Sequence, residues 1–149
     1  NERLMNEKYN MELALRFIGI NQFEFNSKMH VSDYLDEVSK KLCAYSDEQF
    51  DALEADFNSV FSLIHSVAGE SSFRRYKDGK YIGGFQESTF EFITIGVYKN
   101  RDKLDKINLK GKMVSVFTNS AFNQYTGSGS NIKVRVPKFL DAAPEHFRV

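Results

Sequence analysis

The sequence predicts an all-α fold, a compact bundle of about five to seven helices with a core rich in phenylalanine. Apolar residues recur at helical spacing over most of the chain, and strict strand-like alternation is confined to residues 132–136. Phe accounts for 14 of the 149 residues, and only 2 prolines and 9 glycines are present, too few for a disordered chain. We expect residues 1–149 to form a single helical domain.

The first two helices are predicted from the spacing of apolar residues. Residues 8–20 are apolar on most sides, which is typical of a buried helix. Asn21 and Asn26 interrupt this run, and Ser32 is suited to cap a second helix. The apolar residues that follow Ser32 at helical spacing are Tyr34, Leu35, Val38 and Leu42.

The third helix carries the clearest boundary signals. Ser46 and Gln49 form the pattern of a capping box, in which each side chain bonds to a free backbone N–H of the first turn. Gly69 is a natural end, because glycine readily adopts the backbone conformation that closes many helices. The apolar stripe between them consists of Phe50, Leu53, Phe57, Val60, Phe61, Ile64, Val67 and Ala68.

A loop over residues 70–84 is predicted to lead into a fourth helix. Residues 85–99 are apolar on nearly every side, so we expect this helix at the centre of the bundle. Its Thr and Ile content also allows a strand, although the length of the run favours a helix.

The C-terminal part is predicted to be helical as well. Residues 102–125 form either one helix or two, with Gly111 marking the joint in the second case. A last helix begins near residue 131. We expect Pro137 to kink or restart it, because proline lacks the backbone N–H that a helix interior requires.

The overall charge does not identify a partner, because 20 basic residues balance 20 acidic ones. The distribution is uneven. Residues 31–58 contain eight acidic residues and two lysines, whereas the chain from residue 59 onward contains fourteen basic and eight acidic residues. Such an asymmetry can orient an anionic partner. The alternative is that these charges are ordinary solvated helix faces.

Four cations in the 70–84 loop are the candidate nucleic-acid-binding residues: Arg74, Arg75, Lys77 and Lys80. Several basic side chains that act together can bind phosphates through counterion release. Tyr76 and Tyr81 lie among them and could stack on a base. The alternative is a solvated loop that binds nothing.

Two charged residues fall inside apolar helices, where an unpaired charge is unfavourable. These are Arg16 in the first helix and Glu91 in the fourth. We expect them to form a structural ion pair across the two helices. The alternative is that Arg16 faces a cleft and binds an anion.

The residues suggest no catalytic, cofactor or metal site. His30, His65 and His146 lie on separate predicted elements without ligand spacing, and Cys43 is the single cysteine. No apolar run approaches the length of a membrane span, so we expect no membrane partner. We therefore expect this stretch of chain to have no enzymatic activity of its own.

Several segments resemble the helical portion of GmrSD-type restriction proteins, which carry a ParB-like N-terminal domain. The similar segments are Glu-Leu-Ala-Leu-Arg-Phe-Ile at 12–18, Ser-Phe-Arg-Arg at 72–75, Phe-Gln-Glu-Ser-Thr-Phe-Glu at 85–91, Asn-Ser-Ala-Phe at 119–122, Thr-Gly at 126–127 and Val-Arg-Val at 134–136. The residues that match the family pattern are Arg16, Phe73, Arg74, Phe90 and Glu91. The Asp-Gly-Gln-Gln-Arg marker and the His-Asn-His-type nuclease cluster of the family do not occur.

The resemblance implies a bacterial cytoplasmic protein in a modification-dependent restriction or phage-defence system that acts on DNA. It implies nucleotide hydrolysis and nuclease activity in other parts of a longer protein. Since the chain starts with Asn1 and not Met, we expect it to be a piece of such a protein. The predicted function is a helical accessory or scaffold domain that contacts DNA through loop 70–84 and also contacts the catalytic domain. The alternative is a protein–protein interaction module without nucleic-acid binding.

Overall fold

The computed structural model describes residues 2–103, 108–127 and 130–149, together with the backbone of residues 104–106. These residues form helices joined by short connections, with one small β-hairpin, so the predicted all-α fold is confirmed. The α-helices are α1 (Glu2–Gln22), α2 (Val31–Cys43), α3 (Asp47–Ala68), α4 (Glu87–Lys99), α5 (Leu109–Val114), α6 (Ser120–Tyr125) and α7 (Ile132–His146). The hairpin strands are β1 (Arg75–Lys77) and β2 (Lys80–Ile82), and 3₁₀ turns occupy Gly69–Ser71, Arg101–Lys106 and Ser115–Thr118.

Helix α4 is the centre of the bundle. Every residue from Thr89 to Tyr98 is buried, and α1, α3 and α7 pack around the helix. A helix that is apolar on all sides gains most from complete burial, which explains its position. The helix predicted over 85–99 is confirmed, and the alternative of a strand is wrong.

Phenylalanine fills the core on both sides of α4. Phe17 on α1 packs edge-to-face against Phe57 and Phe61 of α3. On the opposite side, Phe92 meets Phe139 of α7 at a centroid distance of 5.0 Å and an interplanar angle of 90°. Such edge-to-face pairs add stability beyond their burial. The predicted Phe-rich core is confirmed.

The boundaries of α3 follow the sequence signals closely. The Ser46 hydroxyl accepts a hydrogen bond from the Gln49 N–H, and the Gln49 side chain accepts one from the Ser46 N–H. Gly69 ends the helix with a φ of +55°. Other boundaries differ from the predictions, because α1 extends back to Glu2 and α2 begins at Val31, with His30 rather than Ser32 at its N-cap.

The segment predicted as one or two helices over 102–125 is more broken than expected. Two short helices, α5 and α6, are separated by a 3₁₀ turn, and residue 107 lies outside the described residues. Asn108 and Asn119 cap these helices by accepting bonds from the backbone N–H groups of Gly111 and Phe122. Gly111 therefore lies inside α5 and does not mark the joint.

Helix α7 continues through both of its prolines. Asn131 caps the first turn, and the helix runs without interruption past Pro137 and Pro144. Val136, Phe139 and Ala143 are fully buried, and α7 packs on α4 more extensively than any other helix does. This packing outweighs the unfavourable intrinsic propensity of proline, so the helix does not restart at Pro137.

His146 joins the end of α7 to the segment between α5 and α6. Its Nε2 lies 2.8 Å from the Lys112 carbonyl oxygen and 3.1 Å from the Ser115 hydroxyl, and its Nδ1 lies 3.1 Å from the Asn119 amide nitrogen. Because a carbonyl only accepts, Nε2 carries the hydrogen and Nδ1 accepts from Asn119. Burial lowers the pKa of His146 and thereby favours this neutral form.

We therefore expect the free energy of unfolding to fall as the pH drops below about 6.5, the ordinary pKa of histidine. The folded state binds the proton on His146 less readily than the unfolded state does, so acidification favours unfolding. Urea unfolding at about pH 7 and about pH 5 should show a smaller pH dependence in His146→Gln than in the wild type. His65→Gln is the control, since His65 is exposed and should leave the wild-type dependence unchanged. If the wild type and His146→Gln showed equal pH dependence, His146 would not be the group that makes stability depend on pH.

Candidate nucleic-acid interface

The 70–84 segment contains a β-hairpin instead of an irregular loop. Arg75 pairs with Ile82, Tyr76 with Tyr81, and Lys77 with Lys80 in an antiparallel register. The two residues between the strands, Asp78 and Gly79, have φ values of +52° and +79°. Positive φ at both positions is the requirement of a type I′ turn, the tightest connection that matches the twist of a hairpin.

The sequence contains a signal for this hairpin that the prediction of a loop did not take into account. Asp-Gly flanked by short runs with alternating tyrosines is a strong short-range indicator of a two-residue hairpin. Tyr76 and Tyr81 each lie two residues from the turn, and the four residues 77–80 read Lys-Asp-Gly-Lys. The prediction of a loop is therefore wrong at 75–77 and 80–82.

The base of the hairpin is fixed to the helical core. The buried Ser72 hydroxyl donates to the Ile64 carbonyl of α3 over 2.9 Å, and the Phe73 carbonyl accepts from the Gln86 N–H over 3.1 Å. The second bond closes the two ends of the hairpin segment. The Phe73 ring packs against Phe90 of α4 at a centroid distance of 5.1 Å. These contacts limit the freedom of the hairpin relative to the core.

One face of the hairpin is cationic. Arg75, Lys77 and Lys80 are exposed and share this face, because side chains alternate along a strand. Lys77 and Lys80 lie directly opposite each other, an arrangement that is destabilising for like charges. Arg74 is partly buried just before β1. Within the described part of the chain, none of these four residues forms an ion pair. The hairpin thus brings together the predicted cations 75, 77 and 80, with Arg74 at its base.

The two tyrosines occupy the opposite face of the hairpin. Their rings meet edge-to-face at 5.0 Å. The Tyr81 hydroxyl is buried without a hydrogen-bond partner among the described residues, and this burial raises the pKa of Tyr81. The rings of Tyr76 and Tyr81 are therefore packed on each other, away from the cationic face. The expectation that they stack on a base that the cations hold is not supported by this arrangement.

The two charged residues expected to pair with each other have other partners. Arg16 contacts Glu87 with a distance of 3.2 Å between Nη1 and Oε2. Glu91 accepts two hydrogen bonds of 2.8 Å from Arg135 of α7. The predicted pair between Arg16 and Glu91 is thus replaced by two pairs, one helical turn apart on α4. The reason is that Glu87 and Glu91, spaced by four residues, point to the same side of α4 but face different neighbours.

The second pair is the most deeply buried ionic contact described. The Glu91 side chain is fully buried, and that of Arg135 is 10% exposed. Burial raises the pKa of the Glu91 carboxyl against the opposing effect of the Arg135 charge. Burial would lower the pKa of Arg135, but its hydrogen bonds to Glu91 raise it. The two parallel N–H···O bonds are the strong bidentate arrangement that an arginine fork provides.

The first pair is closer to the surface. Tyr9 donates a hydrogen bond of 2.8 Å to Glu87, whose other oxygen contacts Arg16. Although burial acts in the other direction, the Tyr9 hydrogen bond and the Arg16 guanidinium lower the pKa of Glu87. Arg16 thus has Glu87 as its ion-pair partner, while its buried Nε has no hydrogen-bond partner among the described residues. Sequence reasoning missed Glu87 and Arg135 as partners; the spacing of four between Glu87 and Glu91 was the available signal.

The described residues contain no group of three or more His, Cys, Asp or Glu side chains placed to hold a metal ion. Among them, no helix has both the length and the apolar content that crossing a membrane would demand. Comparisons with models of protein families, with curated proteins and with solved structures give no match for this chain.

Proposed function

We propose that this chain is a helical scaffold that presents a cationic β-hairpin to the phosphate backbone of nucleic acid. The observation that carries the proposal is the placement of Lys77 directly opposite Lys80, beside Arg75, on one exposed face. Three like charges without counterions in the described structure repel one another. A polyanion relieves this repulsion and gains free energy from released counterions.

The hairpin supports contact with phosphates and not with bases. Three cations share its exposed face with Ile82, which lies opposite Arg75. Cations bind backbone oxygens without reading sequence. The tyrosines are held on the other face. The attachment of Phe73 and Ser72 to the core means that little conformational entropy is lost on binding. We therefore propose binding that depends on charge and is largely independent of sequence.

The resemblance to GmrSD-type proteins supplies the proposed context. In that context the scaffold belongs to a bacterial cytoplasmic restriction or phage-defence protein and holds DNA for a catalytic domain elsewhere in the longer chain. The pairs of Glu91 with Arg135 and of Glu87 with Arg16 tie α1, α4 and α7 together. Their role in this proposal is to keep the platform rigid.

The test is fluorescence anisotropy with a short DNA duplex of random sequence, between about 50 and about 200 mM salt. We expect the logarithm of the binding constant to fall with the logarithm of salt concentration with a slope near −2.7, about −0.9 for each of three phosphate contacts. The variant Arg75→Ala/Lys77→Ala/Lys80→Ala should bind far more weakly and lose most of this slope.

The matched control is Lys8→Ala/Lys28→Ala/Lys110→Ala, which removes the same charge from exposed positions on α1, the 23–30 connection and α5. It should bind nearly as the wild type does, because the net charge changes equally while the hairpin stays intact. Equal loss of binding in both triple variants would show that binding follows net charge and would reject the hairpin as the site. Absence of binding by the wild type at low salt would reject the proposal itself.

A further inference from the structure

A groove lined by phenylalanine lies between α1 and α3 and extends to Phe73 and Phe85, which flank the hairpin. The two helices touch where Phe17 meets Phe57 and Phe61. Next to this contact, toward the N-terminus of α1, is a cavity of about 230 Å³. Its floor and walls are mainly apolar and include Leu13, Phe57, Phe61, Phe73, Phe85 and Phe90, with Asn10 as a polar member.

A second depression continues the groove along α3. It has a volume of about 450 Å³, and it shares Phe61 and Phe73 with the first one. Phe85, which lines the first depression, remains 43% exposed. Exposed aromatic residues around an apolar depression mark an interaction surface more often than an ordinary solvated one.

The shape of the groove suits the side chains of a helix. Two depressions follow one another along α3. They could accept two large side chains of a bound helix that are spaced by one or two helical turns, as in helix-in-groove recognition. A small-molecule site would need several convergent polar groups. The Ser72 hydroxyl, one of the few polar groups here, already donates to the Ile64 carbonyl.

The N-terminal half of α3, which meets the groove at Phe57, is acidic. Helix α3 contains five acidic residues and no lysine or arginine. Three of them, Asp47, Asp51 and Glu54, follow one another at spacings of four and three and therefore form one row. Glu54 lies one turn before Phe57, which puts this row at the end of the groove that Phe57 lines. All three are exposed, and none has an ion-pair partner among the described residues.

We propose that this groove binds a basic amphipathic helix of a partner protein. The apolar face of that helix would insert large side chains over Phe57 and Phe61, and its flanking Lys or Arg residues would face Asp51 and Glu54. The acidic row selects a basic partner over a neutral or acidic one. Opposite charges on the two proteins favour their association, whereas an acidic partner would be repelled.

The probes are three synthetic peptides of about 18 residues, roughly five helical turns. They share Leu and Phe at the apolar positions and differ only in flanking residues, which are Lys, Gln or Glu. We expect the Lys peptide to bind at least about tenfold more tightly than the Glu peptide. Asp51→Lys/Glu54→Lys should weaken binding of the Lys peptide about tenfold or more.

The matched control is Asp33→Lys/Asp36→Lys, an equal charge reversal at exposed positions of α2. It should leave binding of the Lys peptide unchanged. The hairpin variant Arg75→Ala/Lys77→Ala/Lys80→Ala should also bind this peptide normally, which separates the groove from the proposed nucleic-acid contact. No binding by any peptide, or equal binding by all three, would overturn the proposal. An equal effect of the α2 and α3 reversals would overturn it as well.

Discussion

Replacing Arg135 with Met is expected to lower the free energy of unfolding by about 3–5 kcal/mol. The substitution leaves the Glu91 carboxyl fully buried without the two hydrogen bonds of 2.8 Å that Arg135 donates. A buried charge without a partner must either stay ionised in an apolar environment or take up a proton, and both are unfavourable. Urea unfolding followed by far-UV circular dichroism measures the loss, since the chain has no Trp for fluorescence.

Two further variants show whether this loss comes from the unpaired charge. In Glu91→Leu/Arg135→Met both charges are absent, and most of the lost stability should return. Well-packed apolar side chains often replace a buried ion pair without lowering the free energy of unfolding. Arg148→Met removes an ion pair with Glu145 in which both side chains are more than 70% exposed. We expect it to change the stability by at most about 1 kcal/mol. A double variant as unstable as Arg135→Met would contradict the explanation.

The variant Gly96→Ala is expected to be destabilised even though alanine is the better helix former. Intrinsic propensity alone would favour alanine by about 1 kcal/mol. However, a Cβ on residue 96 of α4 would lie 2.1 Å from Cδ2 of Phe147 and 2.8 Å from the carbonyl oxygen of Ala143. The absence of a side chain at Gly96 is what allows α7 to approach α4 closely. Such overpacking typically lowers stability by about 1–3 kcal/mol.

The same unfolding measurement tests this expectation. Lys99→Ala is the control on the same helix, because Lys99 is exposed and its removal should have little effect. The double variant Gly96→Ala/Phe147→Leu should be less destabilised than the sum of the two single variants, since leucine removes the ring that a Cβ would strike. A Gly96→Ala protein as stable as the wild type would show that α7 can shift to accept the methyl group.

Local features of this fold were predictable where a short stretch of sequence contains both partners of an interaction. The capping box joins Ser46 and Gln49, three residues apart, and Gly69 closes the helix through its own backbone conformation. The hairpin belongs to the same class, because Asp78 and Gly79 specify their turn without help from distant residues. The loop prediction followed from the glycines and cations of the segment, whereas the turn is specified by the Asp78-Gly79 pair alone.

Features that depend on distant contacts were predicted less well. The helix over residues 132–146 has strand-like alternation at its start and two prolines, yet packing on α4 keeps it continuous. Arg16 and Glu91 were correctly predicted to need partners. The predicted pairing of one with the other was wrong, because the partners come from distant parts of the chain. Within the candidate site, the sequence identified the cations but not the common face that the strand register gives to 75, 77 and 80.

The amino-acid sequence by itself determined the helical class, the central position of α4 and the need to neutralise its buried carboxylate. These follow from the period of apolar residues and from the unfavourable burial of charge, which act within one element. The tertiary structure alone decided that Glu91 meets Arg135, 44 positions away, and that Arg16 meets Glu87, 71 positions away. Such choices depend on the rotation and offset of packed helices, and a shift of one turn exchanges partners without altering the pattern in either helix.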